Sequence, residues 1–155
     1  MQQNQKASIT GIGSYLPSKV LTNYDLEKMV DTSDDWIIQR TGIKERRIVE
    51  NGQITSDLAT YASLRAMEDA GVSPGDLDMI ITSTITPDHI FPSTSCYIQQ
   101  KIGASRASAF DILAACAGFI YALSVGESFV NSGAMKTVLV VGAECLSKIT
   151  DYTDR

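Results

Sequence analysis

Ala109-Phe110-Asp111-Ile112-Leu113-Ala114-Ala115-Cys116-Ala117-Gly118 is the stretch on which the reading of this chain turns. Ala109 to Leu113 is a short apolar run of strand character, and Ala114 to Ala117 are small enough for a tight turn. A helix is predicted from about Ala117 to Asn131, with Glu127 its one charged residue. So apolar a helix is expected to be buried around most of its circumference. Cys116 falls where that helix begins. Free N–H groups and the positive end of the helix dipole favour negative charge on a sulfur placed there, which gives Cys116 a physical reason to be a nucleophile. The small residues around it leave room for a substrate carbonyl.

Working outward, Asp78 to Thr84 and Thr137 to Gly142 are β-branched apolar runs that read as buried strands. Ser8 to Tyr15 reads as a first strand. Its Gly11-Ile12-Gly13 lacks the third glycine of a dinucleotide-binding turn, and Pro17 stops a helix from starting there. Thr22 caps a short helix with Asp25 at its third position. Ser33 or Asp34 caps a second helix that ends at Arg40-Thr41-Gly42. Thr55 or Ser56 opens a long helix to Ala70 with Gly71 as its C-cap, and Ser93 or Thr94 opens another to Ile102, ended by Gly103. The basic run Lys44 to Arg47 leads toward the Asn51-Gly52 turn as an exposed strand or hairpin. The order is β, helices, β, helix, β, helix, β. That alternation predicts an α/β domain with a mostly parallel core sheet. Gly118, Ala122 and Gly126 recur every four residues, a small-residue stripe that predicts close approach of a partner helix as well as a sheet.

The bulk numbers narrow the function classes. The chain has 155 residues, 44% hydrophobic and 20% charged, enough for one domain with its own core. A net charge of −5 argues against non-specific nucleic-acid binding. Three cysteines (Cys96, Cys116 and Cys145) at wide spacing with no CxxC favour reduced thiols over a disulfide framework. Residues 1–6 lack an apolar signal core, and no uncharged run is long enough to span a bilayer, so a soluble, cytoplasmic protein is expected. Cys96, Cys116, Cys145 and the single histidine, His89, do not have the spacing of a zinc site.

Trp36 and Arg40 stand four apart on one predicted helix face. An indole beside a guanidinium suits a flat heterocycle and a phosphate. Read from composition alone, Trp36 is more simply an anchor to the core, with Arg40 a solvated neighbour. Acyl transfer by a thiol needs a base, most often histidine, and an oxyanion hole. His89 sits in the Thr86-Pro87-Asp88-His89 loop and reads as a surface residue. The residues thus supply a nucleophile and an incomplete active site. The chain also stops in a polar loop soon after a buried strand, which reads as part of a longer polypeptide.

Ala-Cys-Ala-Gly-Phe at 115–119 after Phe110-Asp111, with Asp-Asp-Trp-Ile-Ile-Gln-Arg-Thr-Gly-Ile at 34–43, resembles the β-ketoacyl-acyl carrier protein synthase III family, a branch of the thiolase superfamily. Thr86-Pro87-Asp88, Phe91-Pro92 and Thr153-Asp154-Arg155 extend the likeness over nearly the whole chain. The resemblance implies a thiolase-like fold, with residues 1–155 as its N-terminal domain, the nucleophile helix buried at its centre, and the C-terminal half absent. It implies that Cys116 takes an acyl group from acetyl-CoA or another short acyl-CoA. Condensation with malonyl-acyl carrier protein and loss of carbon dioxide would follow, starting type II fatty acid synthesis. No cofactor beyond the CoA thioester and no metal are implied, and the complete enzyme would be a homodimer. Trp36 and Arg155 match the pair that sandwiches the CoA adenine, and Thr32 and Arg40 match neighbouring CoA contacts, Arg40 on the phosphate side. Phe91 matches a residue reaching across the dimer interface, Leu146 an acyl-pocket position, and Ile85 a site beside that pocket. The family's catalytic His and Asn belong to its C-terminal half, and His89 does not match that histidine. Arg155 is where a trypsin-like cut would end a chain, so a nicked or split enzyme is expected. Other acyl-CoA condensing enzymes of the superfamily, or a non-catalytic orphan half, are the alternatives.

Overall fold

A computed structural model describes residues 6–154. In chain order the elements are β1 (Lys19–Thr22), α1 (Asn23–Leu26), α2 (Asp34–Thr41), β2 (Glu45–Ile48), α3 (Thr55–Ala70), β3 (Met79–Ser83), α4 (Thr94–Ile102), β4 (Ser108–Ile112), α5 (Gly118–Asn131) and β5 (Val138–Gly142). They divide into two units. One runs to Tyr15 and resumes over Ile54–Glu144; the other is Leu16–Gln53 with the segment from Cys145 onward.

The first unit is built on β3. All five of its residues are buried, as expected of a strand paired on both edges and covered on both faces. β4 and β5 flank it in the order β4-β3-β5, both parallel to it, with Ser83 opposite Ile112 on one side and Gly142 on the other. Alternation along the strands divides the core. Ile80, Leu139 and Val141 face Ala59 and Met67 of α3 and Ile98 and Ile102 of α4. Met79, Ile81, Val138 and Val140 face Ala122 of α5. The result is helix, sheet and helix in three layers. Ile80 and Ile81 are fully buried, each contributing about 1.5–3 kcal/mol of apolar burial. Carboxylates hold the strand ends. At the entry edge, the Asp78 carboxylate accepts the Lys136 and Thr137 N–H groups at 2.7 and 3.0 Å. These two bonds, first Lys136 and then Thr137, hold its pKa below the ordinary value.

Two expectations are corrected in this unit. Ser8 to Tyr15 is not a strand: its polar groups go to side chains instead of a ladder. Ile12 N–H donates to Asp69 Oδ2 at 2.9 Å, and Arg65 Nη1 donates to Ser14 O at 2.6 Å. The segment lies against α3, and a Cβ at Gly11 or Gly13 would stand 2.4 Å from Ala66 O or 2.3 Å from Ala62 O. The Gly-Ile-Gly pattern therefore serves backbone-to-helix approach. The small-residue stripe of α5 meets the sheet, as expected: a Cβ on Gly126 would lie 3.2 and 3.3 Å from Val140 and Val138. The second correction is to α5 itself, which is not enclosed around most of its circumference: it is buried along Gly118, Ala122 and Gly126, while Phe119, Ile120 and Tyr121 are exposed.

The second unit has little apolar core and is organised by a buried amide. Asn23, 1% exposed, donates from Nδ2 to Asp34 Oδ1 and to Ile43 O, both at 2.8 Å, and its Oδ1 accepts from Arg46. One side chain thus ties α1, α2 and β2. β1 and β2 pair antiparallel, Lys19 opposite Ile48. Thr22 and Asp25 form the anticipated reciprocal cap, with Thr22 Oγ1 donating to Asp25 Oδ2 at 2.6 Å and Asp25 N–H donating to Thr22 Oγ1 at 3.2 Å. Ser33 caps α2, which Gly42 ends in the left-handed region at φ 71°.

Candidate active site

Cys116 lies in a single 3₁₀ turn, Ala115–Ala117, between β4 and α5. Its side chain is exposed, whereas Cys96 is partly buried and Cys145 buried. The turn is sharp. Ala115 has φ 45°, in the left-handed region that costs a residue with a Cβ about 1–2 kcal/mol. Such a conformation persists where its surroundings over-determine it. Here β4 is fixed in parallel register on one side, and on the other α5 is seated on β3: a Cβ on Gly118 would stand 1.9 Å from Ser83 Oγ. The amino end of the 14-residue α5 is directed at the turn, an electropositive setting for the Cys116 sulfur.

The turn stands at the C-terminal edge of the parallel sheet, where α/β folds place their ligands. Two carboxylates organise that edge. Asp111, on β4, accepts the Thr94 and Ser95 N–H groups at 2.6 and 2.8 Å, so it caps α4 and locks that helix to the strand leading to Cys116. Ser95 Oγ lies 2.7 Å from both Thr82 Oγ1 and Phe110 O. Glu144, just past β5, accepts Ile85 N–H at 3.1 and 3.2 Å through its two oxygens and the Thr86 hydroxyl at 3.0 Å. Sequence gives neither carboxylate a role, though each carries a signal. A charge inside an otherwise apolar strand, or directly after one, needs hydrogen-bond donors to be tolerated there.

Ile85 follows β3 at this same edge and is 45% exposed; Phe91, farther along that connection, is 87% exposed. His89 is exposed, its ring 5.6 Å from that of Tyr97. Among the described residues no group of three or more His, Cys, Asp or Glu side chains is arranged to hold a metal ion. No helix of the described residues is long and apolar enough to cross a membrane.

The second unit carries the other expected residues. Trp36 and Arg40 share a face of α2, with the guanidinium carbon 5.8 Å from the indole centroid. Trp36 is 44% exposed, so it is not the core anchor that composition alone suggested; Ile37 fills that role at 6%. Thr32 is half-buried just before the helix cap, and Leu146 opens a 3₁₀ turn, 49% exposed. Arg155 lies outside the described residues.

The three layers are those of the N-terminal half of the thiolase-like fold. The family model for 3-oxoacyl-[acyl-carrier-protein] synthase III matches residues 110–155. A β-ketoacyl-[acyl-carrier-protein] synthase III of Caldanaerobacter subterraneus is 62% identical over 149 residues, 96% of this chain and 45% of the relative. The crystal structure of the Aquifex aeolicus 3-oxoacyl-[acyl-carrier-protein] synthase III superposes with a TM-score of 0.92 at 55% identity, over 95% of this chain and 47% of that one. The priming β-ketosynthase of the R1128 polyketide pathway superposes at 0.93 with 37% identity, over 100% of this chain and 47% of its own. Over the stretch it spans, the chain is similar to β-ketoacyl-[acyl-carrier-protein] synthase III enzymes, and the family model matches its last third. It spans about half the length of the relatives it matches.

Proposed function

We propose that this chain carries the nucleophile half of a condensing enzyme that starts fatty acid synthesis. The Cys116 sulfur attacks the thioester carbon of a short acyl-CoA. A new carbon–sulfur bond forms, the bond to CoA breaks, and the Cys116 proton leaves with the CoA thiol. Malonyl-acyl carrier protein then loses carbon dioxide, its carbanion attacks the acyl carbon, and Cys116 leaves as thiolate and is reprotonated. The product is a 3-ketoacyl thioester on the carrier protein. This second step calls for the His and Asn that the family carries in its other half. Acylation needs the groups of the turn itself, together with residues that hold CoA.

The observation that carries this reading is the exposed Cys116 on a turn strained at Ala115, at the amino end of α5. Trp36 and Arg40, stacked and exposed on α2, are assigned to the CoA adenine and phosphate, with Thr32 and Arg155 beside them. Ile85, Phe91 and Leu146 are assigned to the acyl pocket, Phe91 from across a homodimer interface. No cofactor beyond the thioester and no metal are needed, and a cytoplasmic location suits the substrates. Fatty acid priming is preferred to polyketide priming because the identities of 62% and 55% are to fatty acid enzymes and the 37% identity is to the polyketide one.

Intact mass after incubation with acetyl-CoA tests the assignment. The expected result is one acetyl group on this chain, lost in Cys116→Ala. An unmodified chain, under conditions where a complete relative is acetylated, would show a half without transfer chemistry of its own.

A further inference from the structure

We propose that Glu144 is a positioning residue that sets which acyl chains Cys116 accepts, by holding the Thr84–Thr86 strap at the edge of the sheet. The proposal rests on the acyl-transfer reading of Cys116 given above. Its geometric part stands without it.

The strap leaves β3 where β4 and β5 also end. Ser83 is registered opposite Ile112 and Gly142, and Thr84 N–H still donates to Ile112 O at 3.2 Å. Beyond that bond the strap has left the ladder, and Ile85 N–H would lack a strand partner. Glu144 supplies one. Both its oxygens stand 3.1–3.2 Å from Ile85 N, and Oε2 also accepts from Thr86 Oγ1 at 3.0 Å and lies 3.4 Å from Thr84 Oγ1. Ala143 N–H donates to Ser83 O at 3.1 Å, so the carboxylate is itself delivered by the last rung between β5 and β3. On its far side the strap is held by α3: Thr55 Oγ1 donates to Thr86 O, and Ser56 N–H donates to Asp88 Oδ1 at 3.0 Å.

One side chain in this strap is apolar and open. Thr84 is fully buried, Thr86 is half-buried and turned into the hydrogen-bond set, and Ile85 is 45% exposed. Ile85 and the Cys116 turn issue from adjacent parallel strands at the same edge. Ile85, two residues past β3, is the bulky exposed side chain that this strand brings to the edge from which the Cys116 turn also issues. Since χ freedom of a β-branched residue is small, the place of the Ile85 side chain follows its backbone. That backbone is anchored by charge-assisted bonds, which hold more tightly than neutral ones.

The test is made on this protein, with two readouts. Amide hydrogen exchange of Ile85 reads the strap directly. Competition between acetyl-CoA and hexanoyl-CoA, read as the ratio of the two masses added to Cys116, reads selectivity. In Glu144→Ala the Ile85 amide should exchange roughly tenfold faster while Ile80 and Ile81 stay protected, and the acyl ratio should shift by a similar factor. Glu144→Gln keeps one carbonyl oxygen for Ile85 N–H and should recover most of both. Unchanged Ile85 exchange in Glu144→Ala overturns the proposal at its geometric root. Faster exchange with both acyl groups slowed equally overturns the selectivity role. Loss of acylation by both acyl-CoAs already in the unsubstituted protein would instead sink the acyl-transfer reading, and the selectivity role of Glu144 with it.

Discussion

At the scale of single residues, Cys116 is set apart from the other two thiols by exposure and by the turn that carries it. Cys96 Sγ lies 3.2 Å from Ser93 Oγ within α4, and Cys145 is 3% exposed. Brief alkylation of the native protein should therefore modify Cys116 first. Cys116→Ala should abolish both that adduct and acyl transfer, while Cys96→Ala and Cys145→Ala leave them, as intact mass would read; loss of transfer in either control would mean that another sulfur is the nucleophile. On α2, removing the indole in Trp36→Ala takes away the stacking partner of Arg40. CoA affinity by calorimetry should fall by about 1–2 kcal/mol, with the fold unchanged by circular dichroism. Unaltered affinity would leave Trp36 with no part in binding.

At the scale of elements, the packing of the segment before β1 on α3 decides an outcome. Gly13 faces backbone atoms, Ala62 O and Ala66 N, each 2.3 Å from where a Cβ would stand, so nothing there can rotate aside. Gly13→Ala should cost about 1–3 kcal/mol in denaturant unfolding. Gly133→Ala, with open space around its Cβ but φ 75°, should cost about 1–2 kcal/mol from conformation alone. The same segment shows where sequence reading stops. The β-branched runs of β3 and β5, the caps at Thr22, Ser33 and Ser93 and the glycine stops at Gly42, Gly71 and Gly103 are local signals, and each element formed near where it was expected. Ser8 to Tyr15 reads as a strand too. Whether such a segment joins a ladder depends on a partner elsewhere in the chain, which no local pattern encodes. The α5 stripe has the same limit: small residues announce close approach without saying what approaches. Of the candidate site, the cysteine turn was legible because its spacing is local. Asp111 and Glu144 were passed over because their donors, Thr94, Ser95 and Ile85, lie 16 to 59 positions away.

At the scale of the whole molecule, the two units rest on different physics. The first is held by apolar burial on both faces of β3, the second by the polar hub at Asn23. Ile81→Ala should destabilise the first by about 2–5 kcal/mol, a loss read in exchange of the β3 and β4 amides. Asn23→Ala strands Asp34, Ile43 O and Arg46 without their shared partner and should cost about 1–3 kcal/mol, read in the amides of α2 and β2. The carboxylate caps add a final consequence: this fold carries its own acid fuse. The Thr22 hydroxyl, then the Thr22 N–H and then Lys28 hold Asp25 down at about 2, from an ordinary 3.8. Asp76, Asp78 and Asp151 are lowered as well, by Ser73, by the N–H groups of Lys136 and Thr137, and by Thr153. A carboxylate with a depressed folded value contributes its stability in full above the unfolded value and loses it as pH falls through the folded one. Acidification below 3.8 should therefore loosen turns and strand entries before the apolar layers. In an NMR titration the Asp25 carboxyl should turn over near 2, moving up toward 3.8 in Thr22→Ala. In buffers more acidic than that, these turns and strand entries would lose the bonds that hold them, while the apolar layers have no carboxylate to lose.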